Sequence, residues 1–183
     1  MDDFSLKGKR ILVTGATSGI GSEIVRVLVR YGAKIYAIGR NHSKLAALTE
    51  GTEQIECISG DLTDPTFTLD LVKGIDRVDG LVYSAGLMGL KPLNVLKNKD
   101  VDGFMSINFE AAFSLSKELI NQKKLIKEGS MVFISSVYGV MIGGRGNLAY
   151  SASKGALNGM IKSMALDLAH LKIRVNQIAP RND

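Results

Sequence analysis

The sequence predicts an α/β protein built on a doubly wound parallel sheet with helices on both faces. Three observations lead there. Six short apolar runs alternate with segments of helix length along all 183 residues. The runs are near-continuous in their apolar character, which marks strands buried on both faces and hence a parallel sheet. The first run leads directly into a glycine-rich turn and a helix, the layout that opens a nucleotide-binding α/β unit. Right-handed crossovers complete the winding. No repeat, low-complexity tract or linker interrupts the pattern, so residues 1–183 read as a single domain.

The first strand, Arg10–Val13, runs into Thr14-Gly15-Ala16-Thr17-Ser18-Gly19-Ile20-Gly21. Strand, glycine turn and helix start bring backbone N–H groups and a helix N-terminus against a phosphate. Gly15 allows the tight turn, Gly19 a close approach to a pyrophosphate, and Gly21 close packing of helix on strand. The candidate cofactor-binding residues here are Gly15, Thr17, Ser18, Gly19, Ile20 and Gly21. The spacing is G-x-x-x-G-x-G rather than G-x-G-x-x-G, and a glycine turn without a ligand is the plainer alternative. The helix runs over Ile20–Tyr31, and the second strand is Ile35–Ile38. Gly39 and Arg40 stand where an NAD-preferring protein carries an acid for the ribose 2′-hydroxyl. A guanidinium there pairs with the extra phosphate of NADP(H), so NADP(H) is favoured over NAD(H). A helix over Ser43–Glu50 leads to the third strand, Ile55–Ile58, and then to Gly60-Asp61-Leu62. Asp61 either accepts from an adenine amino group or caps the following helix, Phe67–Ile75. The fourth strand, Gly80–Tyr83, ends in Ser84-Ala85-Gly86, where small residues let the backbone approach a ribose.

A long helix is predicted over Val101–Lys124, with Asn108 inside it. Asparagine is a poor helix-interior residue, so it marks a side-chain role or a kink. The fifth strand, Met131–Ile134, ends in Ser135-Ser136, and the segment Gly143-Gly144-Arg145-Gly146 reads as a loop beside a site. The last helix spans Tyr150–His170 and the sixth strand Ile173–Ile178.

Composition narrows the function. No apolar run reaches the ~20 residues of a membrane span, and the acidic start, Met1-Asp2-Asp3, lacks a signal peptide's basic region. A cytoplasmic location is expected. The single Cys57 allows no intramolecular disulfide and belongs to no metal-ligand cluster. It reads as a small core residue. The net charge is +5, but no basic stripe is interleaved with aromatics, so nucleic acid is not the expected partner. Lys123, Lys124 and Lys127 read as a solvated helix end.

The catalytic signal is Tyr150-Ser151-Ala152-Ser153-Lys154, with Tyr and Lys at i and i+4 on one helix face. A phenol exchanges protons usefully when its pKa approaches neutrality. Moving one from ~10 to ~7 takes about 4 kcal/mol, and a cation roughly 4 Å away at an effective dielectric near ~20 supplies about that much. A serine at the C-terminal end of a parallel strand faces the ligand crevice, so Ser135 or Ser136 is placed to hold a substrate oxygen.

Together the motif Thr14–Gly21, Asp61, Asn108, Ser136, Tyr150 and Lys154 resemble the short-chain dehydrogenase/reductase family, and within it the 3-oxoacyl-carrier-protein reductase group. The match runs from Leu6 to Asn176. It implies a Rossmann fold and an NADP(H)-dependent oxidoreductase that interconverts a carbonyl and a secondary alcohol. It also implies Tyr150 as general acid/base, Lys154 on the nicotinamide ribose and easing deprotonation of the tyrosine, Ser136 orienting the carbonyl, and Asn108 supporting a relay water. The cofactor contacts it implies include Asp61, Leu62, Ser84, Ala85 and Gly86. No metal is implied, and the partner is a small-molecule carbonyl or alcohol in a homodimer or homotetramer paired through the two long helices. The alternative is a non-catalytic nucleotide-binding relative acting through assembly.

Three positions depart from the family pattern. Tyr83-Ser84-Ala85-Gly86 stands where Asn-Asn-Ala-Gly is usual. Ser136 and Tyr150 are 14 positions apart (150 − 136), one more than usual. The sequence passes from Pro180 to Asp183 without the family's seventh strand and substrate-covering segment. The sixth strand is therefore expected to lie at a sheet edge and to promote self-association, with weak cofactor binding and slow turnover.

Overall fold

The computed structural model describes residues 4–181. Its strands are β1 (Arg10–Thr14), β2 (Lys34–Gly39), β3 (Ile55–Ser59), β4 (Val78–Tyr83), β5 (Leu125–Ile134) and β6 (Arg174–Ile178). They form one sheet in the order β3-β2-β1-β4-β5-β6, with every neighbouring pair parallel. Order and direction are those of the doubly wound α/β fold, and β3 and β6 are its edges.

The reason for this architecture is visible in β1 and β2. Leu12, Tyr36 and Ile38 join a core with Leu81, Tyr83, Met131 and Phe133 on one face. Their chain neighbours Ile11, Val13, Ile35 and Ala37 join a second core on the other. Successive side chains of a strand point to opposite faces, so a strand that buries all of them needs a cover on each side. Helices α1 (Gly19–Arg30) and α2 (His42–Leu48) cover the second face through Val25 and Leu45. Helices α3 (Pro65–Gly74), α5 (Ala111–Asn121) and α6 (Leu148–Asp167) cover the first. Leu115 and Leu119 of α5 and Leu157 of α6 are fully buried there, each contributing on the order of 1.5–3 kcal/mol. Over β5 and β6 the second face is thinner: Val132 is only half-buried and Asn176 is exposed.

Two expected elements change. The long helix of the sequence reading is three pieces: α4 (Asn98–Met105), a turn of π-helix over Ser106–Glu110, and α5, which ends at Asn121. Asn108 sits in the π-turn. The fifth strand begins at Leu125, six residues earlier than Met131, and bulges: Val78 pairs with Leu125 but Gly80 pairs with Ser130. Glu128, at φ 63, and Gly129 lie in this bulge. Such residues look like a turn in sequence, and the ladder resumes only because Met131 and Phe133 must reach the core. Lys127 is therefore on a strand, not at a helix end.

Tyr83 ties the sheet to the π-turn. Its ring is buried in the core, and its hydroxyl donates to the Ile107 carbonyl at 2.7 Å. Tyr83→Phe removes the donor from the half-buried Ile107 carbonyl. Urea unfolding should show a loss of about 1–2 kcal/mol with an unchanged m-value.

Candidate active site

The C-terminal ends of β1, β2, β4 and β5 open into one cleft of about 880 Å³. Every residue singled out for a site from the sequence lines this cleft except Gly21 and Asn108, which lie just behind its wall.

The floor is set at the end of β1. Thr14 is fully buried, and its hydroxyl accepts from the N–H groups of Ser84 and Ala85, both at 3.1 Å. This bond pins the β4 turn to the glycine turn. The turn that carries Ser84 in place of the usual asparagine is thus held through its backbone. A Cβ on Gly15 would lie 2.7 Å from the Ala85 nitrogen, and Gly15 has φ +66. Gly19, at φ +50, faces open space. The Ser18 hydroxyl makes no cap bond to α1, so the first N–H groups of that helix are open to the cleft.

Arg40 is exposed directly after Gly39 at the end of β2, and both line the cleft. Across from it, Asp61 accepts from the Thr63 N–H at 2.9 Å and the Thr63 hydroxyl at 2.8 Å. These bonds, and then the charge of Arg40, hold its carboxyl below the usual range. Asp61 does not cap α3. That position is filled by Asp64, which accepts from Thr66 N–H at 2.8 Å. Leu62 is buried beside it.

The reactive end lies where β5 meets α6. Tyr150 and Lys154 are both buried, with the Lys154 Nζ 5.9 Å from the Tyr150 ring centre. The ammonium donates to the Ile134 carbonyl at 2.8 Å. Burial pushes its pKa down to about 8. The far side of the Tyr150 ring meets Phe104 edge-on at 6.3 Å. The hydroxyl oxygen of Ser136 accepts from Tyr138 N–H at 3.2 Å, which leaves its proton to be donated outward. Ser135 is also buried on the cleft wall, and its hydroxyl has no partner. Between Ser136 and Tyr150 the chain makes a tight turn, where Met141 N–H and Ile142 N–H both donate to the Val137 carbonyl. The glycine loop after it is tethered, Lys91 N–H donating to the Gly146 carbonyl at 2.7 Å.

Asn108 is fully buried. Its amide donates to the Leu87 carbonyl at 3.0 Å and the Ser153 hydroxyl at 2.9 Å, and its oxygen accepts from Leu87 N–H at 2.8 Å. Ser153 in turn donates to the Tyr150 carbonyl at 2.7 Å. Sequence reasoning missed Phe104 and Ser153, and had Thr14 only as the first residue of the glycine motif. The spacing of Ser153, three residues after Tyr150 on the same helix face, was the available signal.

A glycine cradle at a helix start, an exposed cation at the next strand and a buried tyrosine–lysine pair define a nucleotide-binding oxidoreductase cleft. The short chain dehydrogenase family matches residues 9–182. The chain belongs to that family. It is 36% identical over 176 residues to the 3-oxoacyl-(acyl-carrier-protein) reductase FabG of Rickettsia bellii, covering 96% of this chain and 73% of that protein. It is 35% identical over 188 residues to the gluconate 5-dehydrogenase of Gluconobacter oxydans, covering 98% of this chain and 73% of the relative. Among solved structures, a short chain dehydrogenase from Burkholderia cenocepacia in complex with NADP superposes with TM-score 0.89 at 29% identity, covering 96% of this chain and 74% of that one. Among the described residues, no helix is long and apolar enough to cross a membrane.

The buried Lys154 gives a signed expectation. Below about pH 8 both folded and unfolded chains hold the proton, and the fold bears the full cost of the buried charge, on the order of 3 kcal/mol. From there up to the ordinary lysine value of 10.5 the folded chain alone releases it, so stability rises with pH. Lys154→Met should be more stable than the parent at pH 7 by roughly 1–2 kcal/mol, after loss of the Ile134 hydrogen bond. Thermal melts across pH should show that margin begin to shrink at about pH 8 and disappear on the way to 10.5.

Proposed function

We propose that the chain, as one domain over residues 1–183, uses NADP(H) to interconvert a carbonyl and a secondary alcohol. The single observation that carries this is the buried Tyr150–Lys154 pair on one helical face, opening into the same cleft as Ser136 and the Gly15–Gly21 turn. The relatives named above support the reaction class, and the NADP complex of the Burkholderia cenocepacia protein supports the cofactor.

The residues present fit such a cofactor. A side chain at Gly15 would collide with the β4 turn, while Gly19 leaves its space open. The open N–H groups at the start of α1 suit a pyrophosphate. Thr17, Ser18 and Ile20 flank them, and Arg40 suits a 2′-phosphate. Asp61 and Leu62 suit the adenine, and Ser84, Ala85 and Gly86 the ribose. When bound, the nicotinamide supplies the hydride. The chain supplies the rest. In reduction, Tyr150 gives its hydroxyl proton to the substrate oxygen, and Ser136 donates a hydrogen bond to the same atom. The Lys154 ammonium steadies the phenolate left behind and reaches the nicotinamide ribose. In oxidation the same groups run in reverse.

Asn108 is a positioning residue. Both of its amide protons are donated, so a relay water is held only by a remaining carbonyl lone pair in the π-turn. A second copy of the chain is the expected assembly partner. The exposed Phe113 of α5 and Leu166 of α6 support pairing through those helices.

Two measurements test this reading. Tyr150→Phe should leave NADPH affinity unchanged and lower kcat by about 100-fold or more. Near-normal turnover in that variant overturns the assignment. Arg40→Ala should reduce the preference for NADPH over NADH by roughly 10- to 100-fold. Equal binding of both by the parent protein in calorimetry overturns the phosphate role.

A further inference from the structure

Resting on the reading just given, we infer that the substrate is an apolar ketone, or its secondary alcohol, whose reacting carbon is flanked by hydrocarbon and not by hydroxyl or charged groups.

The cleft is chemically divided. Its nucleotide half carries the charged side chains Arg40 and Asp61, with Thr17, Ser18 and Thr63 between them. The half beyond Tyr150 is walled by Leu87, Met88, Leu90 and the Tyr138 ring. Among the described residues, Lys154 supplies the one charged side chain lining that half, and its ammonium is buried against the Ile134 carbonyl. No carboxylate or guanidinium lines it. A charged substrate would be left unpaired there, and a polyol would lose water without recovering its hydrogen bonds. Polar groups of the chain also line the cleft, Ser106, Ser135 and Ser136 among them, but they sit at its base beside Tyr150 and not on the apolar rim. Ser136 already accepts from Tyr138 N–H and aims its proton at the reacting oxygen. Gly144 packs between the Tyr138 ring and the Asn147 amide, leaving no room there for a Cβ.

The apolar wall is also held in place. Leu90, on the rim, is 73% exposed, and Leu93, beyond the cleft lining, 72%. The intervening Lys91 is fixed twice: its N–H donates to Gly146, and its ammonium pairs with Asp100 at 2.5 Å. Asp100 itself accepts from Lys97 N–H at 2.9 Å. Large apolar side chains fixed facing water at the mouth of a cleft mark a surface that a ligand covers. Because the rim is built beforehand, covering it costs little ordering.

The test uses the full chain with NADPH and two sets of ketones. One is the series 2-butanone, 2-hexanone and 2-octanone; the other is fructose. The kcat/KM should rise by about fourfold per added methylene and should exceed that for fructose by about 100-fold. Leu90→Asp should flatten the series and leave the NADPH dissociation constant unchanged. A flat series in the parent, or fructose turned over as well as 2-octanone, overturns this inference while the reductase reading stands. Calorimetry of 2-octanol and sorbitol, with and without NADP, covers the remaining case. If no ketone turns over but 2-octanol binds and sorbitol does not, the reaction fails and the apolar site is upheld. If sorbitol binds as well as 2-octanol, or neither binds, the inference is overturned.

Discussion

The carboxamide of Asn108 is the interaction on which the site depends. A buried amide left unsatisfied costs several kilocalories, and this one is satisfied on both ends at once. Its three bonds run to the loop after β4 and to Ser153 of α6. They fix the height of α6 against that loop, and Ser153 carries the constraint on to the Tyr150 carbonyl. The π-turn is what aims the side chain inward. A regular helix through Ser106–Glu110 would rotate Asn108 relative to the residues that follow it in α5. Tyr83, donating to Ile107 inside the same turn, anchors that irregularity to the sheet. The local cost of a wide helical turn is therefore offset by four hydrogen bonds into the core.

The sheet divides labour along its strands. Their middles are apolar on both faces and specify the winding. Their C-terminal ends carry Thr14, Gly39, Ser84, Ser135 and Ser136, none of which is needed for the core. This separation lets a fold tolerate a buried ammonium and an unpartnered serine hydroxyl at one end. It also places the apolar wall of the cleft, residues 87–93, in a segment outside the sheet, held by a salt bridge and a backbone bond and not by core packing.

Most of the fold was legible in the sequence because strands buried on both faces cannot hide their apolar runs. The glycine turn and the Tyr150–Lys154 face follow from spacing, while the edge position of β6 came from the family resemblance. Boundaries failed where two signals competed. Lys127-Glu128-Gly129 has turn chemistry but lies inside β5, because pairing with β4 on either side outweighs it. The helix containing Asn108 looked continuous, since a single inserted π-turn leaves apolar periodicity almost intact. The two readings of Asp61 were indistinguishable in sequence, until Asp64, bonded to the Thr66 N–H, proved to be the cap. The role of Thr14 within its motif could not be read, because accepting two N–H groups from the turn after β4 is entirely tertiary.

The buried lysine has one more consequence, in the proton balance of binding. In mildly alkaline solution a share of the folded molecules carry Lys154 neutral. Any anion that settles beside it favours the charged form, so binding draws a proton from the solvent. Affinity for such an anion then declines as pH climbs past about 8, and the heat of binding varies with the ionisation enthalpy of the buffer. The cleft is in this sense a proton acceptor that loads on occupancy, quite apart from any proton moved in the reaction.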